Sequence, residues 1–126
     1  MTVLIVEDQS AIRQVLAEIL ADEGYSVICA SNGLEAIGYL HRSEQLPFVI
    51  LLDLAMPVMS GWDFLSELKH EPALESIPVI LMTAGANVAQ KAFMAGAADY
   101  LSKPIDLDTL LEVVERHYPN KGREVA

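Results

Sequence analysis

Short apolar runs and amphipathic stretches alternate along this chain. The runs, at residues 3–6, 25–30, 48–52, 79–82 and a shorter one at 99–101, are rich in Val, Ile and Leu. Runs of this length read as parallel strands buried on both faces. After the first, Ile12, Val15, Leu16, Ile19 and Leu20 recur at helical spacing, and Gly24 stands where a C-terminal cap belongs. Ser31 and Asn32 are capping residues before a second helix with Leu34, Ile37 and Leu40. Phe64, Leu65 and Leu68 mark a third helix, and Val88, Ala92 and Ala95 a fourth that ends near Gly96. Leu107, Leu110, Leu111 and Val114 mark a fifth, starting near Ile105 or Asp106. Pro47, Pro78 and Pro104 fall at element boundaries, where proline is tolerated. Strict β-α alternation predicts a doubly wound α/β sheet with helices on both faces.

Length and charge narrow the setting. A chain of 126 residues fits one domain, placed at 1–118, with the polar, aperiodic stretch 119–126 as a tail or the start of a linker. Its 52% hydrophobic and 21% charged residues suit a packed core. No apolar run is long enough to cross a bilayer, and no basic segment follows Met1, so neither membrane contact nor a signal peptide is expected. Cys29 is the sole cysteine; among Val27, Ile28 and Ala30 it reads as a small buried hydrophobe in a reducing, cytoplasmic setting. A net charge of −10 repels phosphate backbones and argues against direct nucleic-acid binding.

The chemistry gathers at the ends of the apolar runs. In an open parallel sheet, ligands bind outside the carboxyl ends of the strands, where strand order reverses. The first run leads into Glu7-Asp8, the third ends in Asp53, the fourth in Thr83-Ala84, and the fifth leads into Lys103-Pro104. Three converging carboxylates repel one another unless a cation lies among them, and Mg²⁺ is a hard ion held by carboxylates, waters and phosphate oxygens. A carboxylate beside Mg²⁺ is a competent nucleophile toward phosphorus. An ammonium such as Lys103 and a hydroxyl such as Thr83 then suit the equatorial oxygens of a transferred phosphoryl group.

This set, together with Met56-Pro57, Gly61 and the stretches 53–61 and 96–104, resembles the receiver domain of response regulators in two-component signalling, the CheY-like family. The resemblance runs from about Thr2 to His117. It implies a five-stranded parallel sheet of flavodoxin-like order 2-1-3-4-5 and a module switched by phosphorylation. Asp53 would accept the phosphoryl group from phosphohistidine on a sensor histidine kinase or a histidine phosphotransfer protein. Asp8, Asp53 and the Ala55 backbone carbonyl would ligate Mg²⁺, with Glu7 acting through a metal-bound water. Lys103 would pair with Asp53 and then with the phosphoryl group, and Thr83 would turn inward after transfer. Tyr100 matches the aromatic that changes rotamer with Thr83, and the Lys103–Pro104 bond is expected cis. Such a domain catalyses only its own phosphorylation and dephosphorylation. Its output passes to a downstream protein, a fused output domain or a phosphorylation-dependent homodimer.

Other readings compete with this one. A phosphorylation-independent interaction module of the same fold is the alternative. A haloacid-dehalogenase-type phosphatase wants a second Asp two residues after its nucleophile, where this chain has Ala55; a flavin-binding fold wants a hydroxyl- and glycine-rich loop after Val6. The chain also departs from the receiver pattern. Glu7 stands where Asp is common, Ala55 and Gly85 are small, and the interval from Thr83 to Lys103 is a couple of residues short, a loss placed at 84–88 or the first turn of the fourth helix. Residues 85–96 carry Lys91 as their one charge, so Lys91, Phe93 and Met94 are expected on an exposed partner or dimer face. His41, His70 and His117 each fall near a helix C-terminus without ligand spacing, and Trp62 at a helix start reads as packing and a fluorescence probe.

Overall fold

The computed structural model describes residues 1–56, 58–85 and 88–119. Pro57 of the Met-Pro pair, part of the shortened 84–88 interval and most of the tail therefore lie outside the described residues. Ten elements alternate along the chain: β1 (Thr2–Val6), α1 (Ser10–Asp22), β2 (Ser26–Ala30), α2 (Gly33–Arg42), β3 (Val49–Asp53), α3 (Gly61–Lys69), β4 (Val79–Thr83), α4 (Ala89–Met94), β5 (Asp99–Ser102) and α5 (Leu107–Arg116). The strands form one parallel sheet in the order β2-β1-β3-β4-β5. The reversal of strand order lies between β1 and β3, so the carboxyl ends of these two neighbours open on the crevice.

Side chains alternate across a strand, and this period divides the core in two. Leu4 and Val6 of β1, Ile50 and Leu52 of β3, and Val79 and Leu81 of β4 pack with Ala36, Leu40, Phe64, Leu65, Leu68 and Ala92. Val3 and Ile5, Val49 and Leu51, Ile80 and Met82, and Leu101 pack on the opposite face with Leu16, Leu20, Leu110, Val113 and Val114. Helices α2, α3 and α4 thus cover one face, and α1 and α5 the other. Every residue of β3 and β4 is buried. Full burial of each large aliphatic side chain there contributes about 1.5–3 kcal/mol.

Local chemistry sets the element ends. Asn32, Ser60 and Asp106 accept the N–H groups of Glu35, Asp63 and Thr109 and so cap α2, α3 and α5. Gly24 and Gly96 adopt positive φ just past α1 and α4.

Three readings from periodicity need correction. β2 is an edge strand, and four of its five residues are partly or fully exposed; Cys29 is among them, so it is not a buried hydrophobe. Val15, Leu34 and Leu107 are 52%, 57% and 49% exposed, because each sits at the rim of its helix's inward arc. The inward positions of α2 are instead Gly33, Ala36 and Leu40. Phe93 and Met94, by contrast, lie in the open as expected, 80% and 77% exposed.

Candidate functional site

The side-chain alternation that builds the α1/α5 half of the core also delivers the site. Continuing Val3 and Ile5 by two residues gives Glu7; continuing Val49 and Leu51 gives Asp53; continuing Leu101 gives Lys103. All three groups therefore emerge on one side of the sheet at its carboxyl edge, and they meet. Lys103 Nζ lies 3.1 Å from Asp53 Oδ1 and 3.5 Å from Glu7 Oε1. Thr83 continues the other series, Val79 and Leu81, and its Oγ1 accepts the Gly85 N–H at 2.9 Å. Asp8, one residue beyond Glu7, completes an acidic cluster: Glu7, Asp8 and Asp53 each offer a carboxylate oxygen within 4.8 Å of the others.

This is a buried polar site. Glu7, Asp53 and Thr83 are 0%, 2% and 7% exposed, the only buried polar or charged side chains among the described residues. Backbone geometry holds them. The Gln9 N–H donates to Glu7 Oε2 at 3.2 Å, and Arg13 Nη1 donates to the Glu7 carbonyl at 2.7 Å, tying the turn to α1. The Ala55 N–H donates to Asp53 Oδ1 at 3.3 Å. Gly61 closes the turn after β3: its N–H donates to the Leu54 carbonyl, and a Cβ there would fall 2.7 Å from both the Asp53 carbonyl and Leu54 Cα. The requirement for glycine is thus close approach to the backbone of the site. Val58, in the same turn, has φ +71, a costly conformation for a β-branched residue.

Burial dominates the electrostatics of Glu7. It lifts the carboxyl from 4.5 to about 7, and the nearby Asp53 charge adds to the rise although Lys103 and the Gln9 N–H oppose it. Burial alone would pull the Lys103 ammonium down; its hydrogen bond to Asp53 and the two carboxylate charges outweigh that effect and hold it above the ordinary lysine range. The site therefore carries more carboxylate than its lone ammonium neutralises. Glu7 Oε1 and Asp8 Oδ1 are buried without a hydrogen-bond partner. Among the described residues, no backbone N–H donates to the Ala55 carbonyl. These oxygens suit a hard divalent cation.

The sequence-predicted residues divide into those brought together and those kept apart. Glu7, Asp8, Asp53, Thr83 and Lys103 converge, with Ala55 in the adjoining turn, and the Lys103–Pro104 bond is cis. Tyr100 is 40% exposed, which excludes a core role. Lys91 sits over Trp62, its Nζ 4.6 Å from the ring centroid, on the α3 side of α4. His41, His70 and His117 stand at the C-terminal ends of α2, α3 and α5. Two contributors escaped the sequence reading. Arg13 gave no signal beyond its place one turn into α1. An apolar groove of about 630 Å³ opens beside Lys103, lined by Ala11, Ile12, Val15, Pro104, Ile105 and Leu107 among others.

Comparison with known proteins agrees with this geometry. Residues 3–115 match the response regulator receiver domain family. Sporulation initiation phosphotransferase F of Bacillus subtilis (strain 168) is 36% identical over 122 residues, covering 95% of either chain. In three other curated relatives the match spans only 24% to 50% of a longer protein. Among solved structures, the chemotaxis response regulator CheY4 of Vibrio cholerae superposes with a TM-score of 0.84 at 31% identity, covering 93% of this chain and 98% of that one. The receiver domain of sensor histidine kinase PA1611 from Pseudomonas aeruginosa PAO1, with a magnesium ion coordinated in its active-site cleft, gives a TM-score of 0.81 at 29% identity, covering 91% and 94%. A family match over residues 3–115, on a parallel sheet of order β2-β1-β3-β4-β5 with an acidic cluster at its carboxyl edge, leads to one conclusion: this chain belongs to the receiver domain family of two-component response regulators.

Proposed function

We propose that the chain is a phosphorylation-switched receiver in which Asp53 takes a phosphoryl group from a phosphohistidine donor in the presence of Mg²⁺. The observation that carries this reading is the placement of one ammonium, Lys103, between Asp53 and Glu7, beside Asp8 Oδ1, a buried carboxylate oxygen without a hydrogen-bond partner.

Asp8, Asp53 and the Ala55 carbonyl would hold the metal, and Glu7 would act through one of its waters. When bound, Mg²⁺ supplies countercharge to the carboxylates and to the phosphoryl oxygens. An Asp53 carboxylate oxygen attacks phosphorus in line; the new P–O bond forms as the P–N bond to the donor imidazole breaks, and the departing ring takes one proton from solvent and leaves as neutral imidazole. Lys103, already 3.1 Å from Asp53, then takes a phosphoryl oxygen. The Thr83 hydroxyl, which accepts the Gly85 N–H, turns to donate to another phosphoryl oxygen, and Tyr100, exposed on the neighbouring strand, follows it. The added charge of about −1.5 to −2 biases a two-state equilibrium at α4 and β5. The chain acts only on itself, and residues 1–118 suffice for this chemistry.

The groove beside Lys103 supports the approach of a protein donor. Its apolar rim, Val15 and Leu107, is half exposed, and Lys103 and Ala84 line both groove and site. An apolar helix face seated there would bring a histidine to the edge of the sheet.

Incubation with Mg²⁺ and acetyl phosphate or phosphoramidate should give an acid-stable, base-labile monophosphate that is absent without metal and absent in Asp53→Ala. No adduct on the wild-type chain, or one that persists in Asp53→Ala, would overturn the assignment. Turnover of phosphate esters would instead indicate a phosphatase.

A further inference from the structure

A largely apolar cleft flanked by two lysines, remote from Asp53, lies between α3 and α4. It measures about 430 Å³ and is lined by Trp62, Ser66, Lys69, His70, Lys91 and Ala95. Among the described residues no carboxylate lines it, although the chain carries a net charge of −10. On the other side of α3, a groove sharing Ser66 and His70 is lined by Asp63 and Glu67. Charge is therefore segregated across this one helix.

The two ammonium groups of the cleft are held in place without ion pairs. Lys69 Nζ donates to the Glu75 carbonyl at 2.8 Å, and its methylenes run against Gly96, where a Cβ would come within 2.9 Å of Lys69 Cε. Lys91 Nζ rests over the Trp62 ring. Neither lysine has a carboxylate within 4.0 Å among the described residues, whereas Lys103 and Arg116 both do. His70 donates its Nδ1 proton to the Ser66 carbonyl at 2.7 Å, which leaves Nε2 as its open nitrogen. Three positions from Lys91 on α4, Met94 is 77% exposed and adds an apolar neighbour.

We propose that this cleft docks a short acidic segment of a partner protein, its carboxylates against Lys69 and Lys91 and an apolar side chain against Met94 and Ala95. Charge complementarity selects this occupant. The remaining acidic surface repels such a segment wherever it misses the cleft, so the field of the domain enforces one register. The volume fits a few side chains rather than a folded domain. The inference rests on the cleft alone and holds for the unphosphorylated chain.

The test uses the full chain and a synthetic acetylated peptide of repeated Glu-Leu-Glu-Glu. Binding is followed by the emission of Trp62, the only tryptophan, and by amide chemical shifts. A saturable change is expected, with shifts centred on Ser66, Lys69, Lys91 and Ala95, weakening as salt is raised. Lys69→Gln and Lys91→Gln should each weaken binding by about three- to fivefold, and the double variant on the order of tenfold. Arg42→Gln, on α2, should leave binding unchanged, and melting curves confirm that each variant folds. The proposal is overturned if the double variant binds as the wild type does, if shifts centre elsewhere, if a Lys-for-Glu peptide binds equally well, or if light scattering shows that the response follows self-association.

Discussion

The strand-end site and helix α4 are built on opposite principles. Glu7, Asp53 and Thr83 are almost wholly buried, on or immediately beyond strands whose cores are closed on both faces. Helix α4 spans six residues, has no side-chain cap, and anchors one buried side chain, Ala92, while Phe93 and Met94 stand in solvent. Chemistry at phosphorus needs groups held to within fractions of an ångström, and strand ends supply that rigidity. A reporting element has the opposite need, because a segment with few buried contacts is displaced at low cost. On the proposed function, the acceptor stands on the sheet and the readout on a loosely attached helix.

This contrast can be broken at its rigid end first. Gly61→Ala puts a methyl group against the Asp53 carbonyl and Leu54 Cα, so it should destabilise the fold by about 2–3 kcal/mol and slow phosphorylation by acetyl phosphate. Urea melts and labelling rates check both; an unchanged variant would mean that the turn yields easily and the site is not rigid.

A smaller effect comes from the buried acid. Glu7 is raised from 4.5 to about 7, so folding favours its protonated form. Its contribution to stability is full below about pH 4.5 and is lost as pH rises through about 7. In metal-free protein, Glu7→Gln should abolish that loss and be more stable than wild type at pH 8 by about 2 kcal/mol, the two converging near pH 4. Parallel pH profiles for the two proteins would disprove this account of Glu7.

Strain in the turn after β3 gives a third test. Val58 is 73% exposed at φ +71, so Val58→Asn should stabilise the protein by about 0.5–1 kcal/mol, read as an upward shift in melting temperature. The smallest change in fold stability belongs to α4. Phe93→Glu should alter it by less than about 0.5 kcal/mol, because the ring touches little. A large loss would show that α4 is anchored as firmly as the strands are.

Most of the site was legible because the strands end in chemistry. Glu7-Asp8, Asp53, Thr83 and Lys103 each follow an apolar run, and sheet topology alone brings such ends to one edge. What the linear pattern hid was depth. The apolar run at β2 resembles that at β3, yet one is a sheet edge and the other its centre, and strand order is a property of the whole chain. Cys29 was misplaced for this reason. Val15, Leu34 and Leu107 fit helical spacing but fall beyond the arc that the sheet can cover. The pairing of Lys91 with Trp62, and the proximity of Lys69 to Gly96, depend on how α3 and α4 approach one another, which no periodicity encodes.

The alternation along β1 and β3 carries one more consequence. Because Glu7 and Asp53 stand in phase with Val3, Ile5, Val49 and Leu51, the sheet has a reading frame of two. Deleting one residue inside either strand would do more than shorten it. In β3 it would turn the Asp53 carboxylate toward the opposite face and bring Leu54 into its place; in β1 it would turn Glu7 the same way and bring Asp8 into its place. Only paired insertions or deletions keep the frame. Lengthening β1 and β3 together by two residues is the edit most compatible with a working site.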